Sequence, residues 1–239
     1  MTPELTFVPF PEPRVFATFL GRRQRFLADM ALPDASTTVA HCPNTGSMRG
    51  CLYPGHPAVL WDSRNPARKL RYTWKAITAP GGTWVGVDTG VPNRLAEEAI
   101  RSGLLPALAR FPKILRERPM GERSRVDLLL EGPGGRCYVE VKNVTLVENA
   151  VARFPDAVTA RGLKHLEELA RRVREGDRAA MVYVVQRADG RSFEPAADID
   201  PAYAAGLRRA AAEGVEVYAL ATRVSPEGVQ ATGLLPYRL

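Results

Sequence analysis

Residues 126–141 constrain the fold more than any other stretch of the chain. Val126 to Leu130 and Arg136 to Val141 flank the breaker run Gly132-Pro133-Gly134-Gly135. Short runs rich in aliphatic residues and bounded by turn residues read as strands, and a four-residue connection closes them into a hairpin. With those four residues as the loop, Glu131 faces Arg136, Asp127 faces Glu140 and Arg125 faces Lys142. Side chains alternate along a strand, so Asp127, Glu140 and Lys142 are expected on one sheet face. Val126, Leu128, Leu130, Val139 and Val141 are expected on the other.

Directly opposed carboxylates have Cβ atoms about 4.5–5.5 Å apart and repel one another. A hard divalent cation removes that repulsion. Mg2+, with Mn2+ as a substitute, binds through one or two carboxylates while keeping waters and phosphate oxygens. Asp127 and Glu140 are therefore candidate metal ligands, and Lys142 is placed to orient a water or stabilise charge during phosphodiester hydrolysis. The plainer alternative is that Arg125 and Lys142 neutralise the acids at a sheet edge. A third acid can come from the helix expected over 93–102, where Glu97 and Glu98 flank the stripe Leu95, Ala99 and Ile100. Helical periodicity does not choose between them, and a solvated helix flank is the plainer reading of either.

The chain around this hairpin divides at Ala79-Pro80-Gly81-Gly82, a cluster of breakers. Residues 1–82 read as short β segments at 15–20, 25–32, 37–42, 58–61 and 71–77, which suits a small OB-like barrel. Residues 83–239 read as mixed α and β: a strand at 84–88, the helix at 93–102, the hairpin, a helix at 159–175, a strand at 179–185, a helix at 201–213 and a strand at 215–221. The closing strand, helix, strand order implies a right-handed βαβ unit. The expected class is thus α+β with two domains, 1–82 and 83–239.

Charge adds to this division. The 239 residues carry a formal net charge of +7, and 28 of the 33 basic residues are Arg. An Arg-rich composition makes the total weak evidence for a nucleic-acid partner. Its distribution says more: residues 1–82 hold ten basic and five acidic residues, whereas 83–239 hold 23 and 21. The longest clean apolar stretch, 179–185, is far short of the roughly 20 residues that span a bilayer. The opening MTPELTFVPFPEPR is acidic and broken by prolines, unlike a secretory leader. Three cysteines suit a reducing compartment, so a cytoplasmic location is expected.

Two basic segments in the first domain are candidate DNA contacts: Arg22, Arg23 and Arg25 at a turn, and Arg64, Arg68, Lys69 and Arg71 beside Tyr72 and Trp74. A cationic groove with aromatic platforms is what an OB-like binder of nucleic acid needs. The plainer reading is a solvated basic face with Tyr72 and Trp74 in the core. On the helix at 159–175, Arg161, Lys164, His165 and Glu168 fall opposite the apolar stripe Leu163, Leu166, Ala170 and Val173. Arg161, Lys164 and His165 are further candidates for phosphate contact, with an exposed helix face as the alternative. His41, Cys42, Cys51 and His56 contain no C-x2-C pair and match no standard zinc spacing, so buried cysteines are expected. Pro43 to Ser47 suits a tight loop.

The order Glu-bearing helix, Asp127, Glu140-Val141-Lys142, helix, strand is similar to the PD-(D/E)XK nuclease core. Val126 stands where the idealised motif has Pro. Pro155-Asp156 also spells the motif's first letters, but it follows Glu140 and so falls outside the strand order. Over nearly its whole length the chain resembles the sugar fermentation stimulation protein A (SfsA) family. The resemblance rests on AHCPNTGSM (40–48), NPARKLRYTW (65–74), VPNRLAEEAI (91–100), SRVDLLLE (124–131), CYVEVKNVTLVE (137–148), FPDAVTARGLKHLEEL (154–169) and VSPEG (224–228). It implies an N-terminal OB-like β-barrel, a C-terminal restriction-endonuclease-like α/β domain with a mixed sheet, DNA binding, and a role in sugar utilisation. It also favours Glu98 as the third acid. Two functions follow as expectations: a Mg2+-dependent DNA phosphodiesterase, or a non-catalytic DNA-binding regulator of sugar (maltose) metabolism on a retained nuclease fold. A protein-interaction module without nucleic acid is the third class, and the basic segments argue against it.

Overall fold

The computed structural model describes residues 6–121 and 124–239. In chain order the strands and helices begin with β1 (Phe7–Pro9), β2 (Arg14–Arg23), β3 (Leu27–Ala31), β4 (Thr37–His41), β5 (Pro57–Asp62), β6 (Tyr72–Thr78) and β7 (Trp84–Gly86). There follow α1 (Val91–Arg101), α2 (Pro106–Ala109), β8 (Lys113–Pro119), β9 (Arg125–Gly132), β10 (Gly135–Val144), β11 (Leu146–Glu148) and β12 (Val151–Phe154). The chain ends with α3 (Ala160–Arg174), β13 (Arg178–Val185), β14 (Ser192–Pro195), α4 (Pro201–Ala212), β15 (Glu216–Ser225) and β16 (Gly228–Leu235).

The first domain is the expected OB barrel. Its strands run β4-β3-β2-β5-β6-β7, and a parallel pairing of β4 with β6 closes the sheet on itself. Alternation supplies the core: Ala28 and Met30 from β3 and Leu60 from β5 point inward, and Phe19 stacks on Trp74 at 4.8 Å. Each such side chain contributes about 1.5–3 kcal/mol on burial. Tyr72 and Trp74 both belong to this core, so they are not stacking platforms. Cys42 and Cys51 are buried there too, as free thiols.

The domain boundary differs from the one expected at residue 82. Ala79 to Gly82 is a hairpin turn, closed by bonds from Gly82 N to Ala79 O and from Ala79 N to Thr83 O. Gly81 and Gly82 have φ of 85° and 81°, a conformation open to glycine at no steric cost. The turn joins β6 to β7, so the barrel extends through Gly86. At the other end, β1 leaves the barrel and pairs with β16 of the second domain. Breaker residues mark a change of direction, and here the change lies inside a domain.

The second domain is a seven-stranded mixed sheet ordered β1-β16-β15-β13-β10-β9-β8. β10, β13 and β15 are parallel and central, and the near-continuous apolar runs of β13 and β10 reflect burial on both faces. One face packs under α1, with Leu95, Ile100, Leu128, Leu130, Val139 and Val182. The other packs under α3 and α4, with Leu166, Leu169, Met181, Tyr203 and Leu207. Thr159 caps α3 by accepting from Gly162 N, and Asp200 caps α4 by accepting from Tyr203 N. The small sheet β11-β12-β14 fills the connection around α3 and was not expected. Nor was β8, whose mixed and mostly exposed sequence carries no alternation.

The two domains share a core and a polar seam. Val59 and Ala76 of the barrel pack in the same cluster as Leu95 and Val182. The buried Lys75 pairs with Asp88 at 2.5 Å. Buried Arg187 reaches Gly50 O (3.2 Å) and Thr145 O (3.0 Å). The 43–48 loop docks on Asp156, which accepts Ser47 Oγ through its carbonyl and Met48 N through Oδ2, each at 2.8 Å. Asp156, excluded as a motif acid, thus holds the domain junction.

Candidate metal centre and nucleic-acid interface

The hairpin register agrees with the loop geometry only part of the way. Gly132 to Leu128 pair with Gly135 to Val139 as expected. The ladder then stops, and Asp127 and Glu140 are not a paired couple. On the other side β8 pairs with β9 except opposite Asp127, where Glu117 takes φ of 52°. The irregularity also turns Val126 into the core under α3, while Leu128 and Leu130 enter the core under α1. Two carboxylates facing each other across a closed ladder would repel, and here the sheet forks at that point instead.

Asp127 sits in the fork, half-buried. Its Oδ2 accepts Val141 N at 2.8 Å, which replaces a ladder bond, and its Oδ1 accepts Asn93 Nδ2 at 2.9 Å. Partial burial and then the nearby Glu140 carboxylate push its pKa up to about 6. Glu140 is buried. Burial opposes its ionisation, but bonds and charge from His165 and Lys142 outweigh that and hold its pKa below the usual range. Lys142 Nζ lies 2.6 Å from Glu140 Oε1, and His165 Nδ1 bonds the same oxygen. Arg161 Nε approaches the other ring nitrogen of His165 at 3.5 Å, which fits a proton on Nδ1 donated to Glu140. Glu140 Oε2 is buried without a hydrogen-bond partner among the described residues. Such an atom is costly, and a cation removes the cost.

These acids open into a cavity of about 790 Å³, lined also by Glu117, Ser124, Arg125, Arg161, Lys164 and His165. Three carboxylates, Glu117, Asp127 and Glu140, therefore meet three cationic side chains around one space, an arrangement that takes a cation and an anion together. His165, a candidate phosphate contact with an exposed helix face as the alternative, is only 5% exposed and contacts Glu140. The face of α3 opposite its apolar stripe looks into the cavity. Glu98 does not reach it: the residue is exposed and lines no part of the space. Glu97 is the inward member of the pair, one turn beyond Asn93, and its two oxygens are bonded to Arg101 (2.8 Å) and Arg116 (2.5 Å). Among the described residues no three His, Cys, Asp or Glu side chains converge as a metal cluster. Asn93, Glu117 and the Ser124–Glu168 contact escaped sequence reasoning. Only Asn93 left a signal, being four residues before Glu97 on the same helix face.

The barrel's basic segments differ in what remains free. Arg22 donates to the carbonyls of Asn44 (2.9 Å), Gly46 (3.0 Å) and Ser47, and so holds the junction loop. Arg23 pairs with Asp29. Arg71 pairs with Asp62 at 2.5 Å, a bond that lowers the Asp62 pKa to about 2. Arg25, Arg64 and Lys69 are exposed and have no side-chain partner among the described residues. Arg68 lies over the Trp61 ring at 5.1 Å and bonds Thr73 Oγ1, yet its Nη1 is buried without a partner. Arg64, Arg68, Lys69 and Arg71 line one cavity of about 580 Å³.

A family model described as "Sugar fermentation stimulation protein RE domain" matches residues 90–228. A second, "SfsA N-terminal OB domain", matches residues 20–87. The chain belongs to the SfsA family. Among its relatives is the sugar fermentation stimulation protein homolog of Geobacter metallireducens, 54% identical over 227 residues, 95% of this chain and 97% of that protein. The homolog of Geotalea uraniireducens is 52% identical over 96% of this chain and 99% of its own. That of Rhodospirillum rubrum is 50% identical over 95% and 98%. A solved structure of Pyrococcus furiosus SfsA in complex with Ca2+ superposes with a TM-score of 0.87 at 29% identity, covering 97% of this chain and 98% of that one. The two-domain architecture, OB barrel followed by mixed sheet, is therefore an SfsA architecture. No helix of the described residues is long and apolar enough to cross a membrane.

Proposed function

We propose that this SfsA-family protein binds DNA and hydrolyses its phosphodiester bonds with a divalent cation, Mg2+ or Mn2+. The observation that carries the reading is the bare, buried Oε2 of Glu140 beside Asp127, in a cavity rimmed by Arg125, Arg161 and Lys164. The donor set suits a hard cation, because two carboxylate groups leave positions for water and a phosphate oxygen. A bound cation would supply Lewis-acid stabilisation of the phosphate and a more acidic water. Asp127 and Glu140 would hold it. His165 and Lys142 fix Glu140 through its other oxygen, so that Oε2 keeps its direction. Arg161 and Lys164 neutralise phosphate charge, and the exposed cations Arg25, Arg64 and Lys69 add positive charge on the barrel. The Ca2+ complex of the Pyrococcus furiosus relative supports a hard-cation site in this fold.

Incubation of DNA with purified protein and Mg2+ or Mn2+ tests the reading. Cleavage that disappears in Asp127→Ala is expected; cleavage that persists unchanged in that variant removes the assignment. A second reading has its own observation. Glu98 is outside the site and Glu97 is bonded on both oxygens, so neither acid of α1 joins Asp127 and Glu140. This favours a regulator that binds DNA without cutting it, and it predicts salt-sensitive binding with no nicking in either metal.

A further inference from the structure

A second, smaller cavity lies where the barrel meets the sheet, between the 43–48 loop, the end of β10 and β12. Its lining includes Asn44, Gly46, Asn143, Arg153, Phe154 and Asp156. Its volume is about 190 Å³. That is below the roughly 300–1,000 Å³ of pockets for drug-sized ligands, and it suits one small planar ring.

The cavity shares β10 with the candidate metal centre. Asn143 follows Lys142 directly in β10, and Tyr183 is the in-register neighbour of Lys142 on β13. Phe154 packs on Tyr183 with ring centroids 5.7 Å apart. Asn143 lies three residues beyond Glu140 in β10, about 10 Å of extended strand.

The polar atoms present a defined pattern. Asn143 Oδ1 accepts Gln186 Nε2 at 2.7 Å, which fixes the amide and leaves Nδ2 a donor with no partner among the described residues. Asn44 Oδ1 accepts Gly46 N at 2.9 Å, which leaves its Nδ2 in the same condition. Asp156 spends Oδ2 on Met48 N and keeps Oδ1 as an acceptor. Two amide donors, one carboxylate acceptor and an aromatic wall match the edge and face of a nucleobase. The carboxylate selects a base with an exocyclic amino group, and cytosine offers one amino donor beside two acceptors. Gly46 keeps the space open. A Cβ there would lie 3.0 Å from Asn44 Oδ1 and 3.7 Å from Asp156 Oδ1, in the middle of the polar set.

We infer that the domain junction captures one unstacked, amino-bearing nucleobase, cytosine above all, from a bound DNA strand. The inference rests on DNA being the partner. Oligo(dC) and oligo(dT) of equal length carry the same phosphates, so their binding at fixed salt and pH separates the base from the backbone. The expected result is about tenfold tighter binding of oligo(dC) by the full chain. In Gly46→Ala, which fills the cavity, the preference falls to near one while the salt dependence is unchanged. Asn143→Asp keeps the acceptor for Gln186 and deletes the donor, so it gives the same result and carries the test if Gly46→Ala does not fold by its melting curve. Equal, salt-sensitive binding of both oligonucleotides overturns the base site and leaves the DNA reading standing. No binding of either at low salt overturns both.

Discussion

Glu97 and Glu140 invite comparison, because each is a buried glutamate with two basic neighbours. Around Glu97 the partners divide, Arg101 on Oε1 and Arg116 on Oε2. Around Glu140 both crowd onto Oε1, and Oε2 is left bare. The first is a closed ion cluster that locks α1 against β8. The second is an open one with coordinating capacity unspent. Counting charges would call the two sites alike; assigning each oxygen separates them.

The largest test of this contrast is Glu140→Gln beside Glu97→Gln in a cleavage assay with Mn2+. Loss of a metal-binding oxygen is expected to cost more than about a hundredfold in rate, while Glu97→Gln stays within a few-fold. Equal losses in both variants would erase the distinction. Stability should not separate them in the same way. Glu97→Gln is expected to cost about 1–2 kcal/mol in chemical denaturation, a figure reduced because Arg101 and Arg116 are about half exposed. Metal-free Glu140→Gln is expected to cost at least as much, because it leaves Lys142 and the buried His165 without their carboxylate.

A smaller effect is expected from Asp127. Its folded pKa, raised to about 6, means the native state holds the proton more tightly than the unfolded chain. The associated stabilisation is present below the unfolded value near 3.9 and is lost as pH rises to about 6. Metal-free protein should thus lose on the order of 1 kcal/mol across that window, and Asp127→Asn should remove this slope in denaturation curves taken at each pH. A slope that survives the substitution assigns the effect to another group. The smallest test carries the bonded-against-bare distinction to the barrel. Arg64→Ala with Lys69→Ala is expected to lower the slope of log affinity against log salt by roughly two without changing the melting temperature. Arg23→Ala, which removes an exposed pair with Asp29, should leave DNA affinity nearly unchanged.

Much of the architecture was legible because it depends on local pattern. Alternation disclosed the barrel strands, and the breaker run at 132–135 fixed the hairpin register as far as Leu128 and Val139. The 3.6-residue period located α1, α3 and α4 to within two residues. β8 was hidden because five of its seven residues are exposed, which leaves no apolar rhythm to read. The boundary at residue 82 failed because glycine and proline signal a turn without saying whether a domain ends there. In the candidate site, Asp127, Glu140 and Lys142 follow from strand spacing alone. Periodicity leaves His165 either a phosphate contact or an exposed group, and only its approach to Glu140 explains why an imidazole is buried there.

By itself the sequence determined the family, the two-domain order, and which acids the hairpin carries, because each is written in residues near one another or in motifs that recur in order. Only the tertiary structure decided that the sheet forks at Asp127, that Glu97 and not Glu98 turns inward, and that Glu140 keeps one oxygen bare. Those outcomes depend on which of two atoms on one side chain meets a partner from a distant strand or helix. Spacing along a chain places residues on faces; only packing assigns hydrogen bonds to individual oxygens.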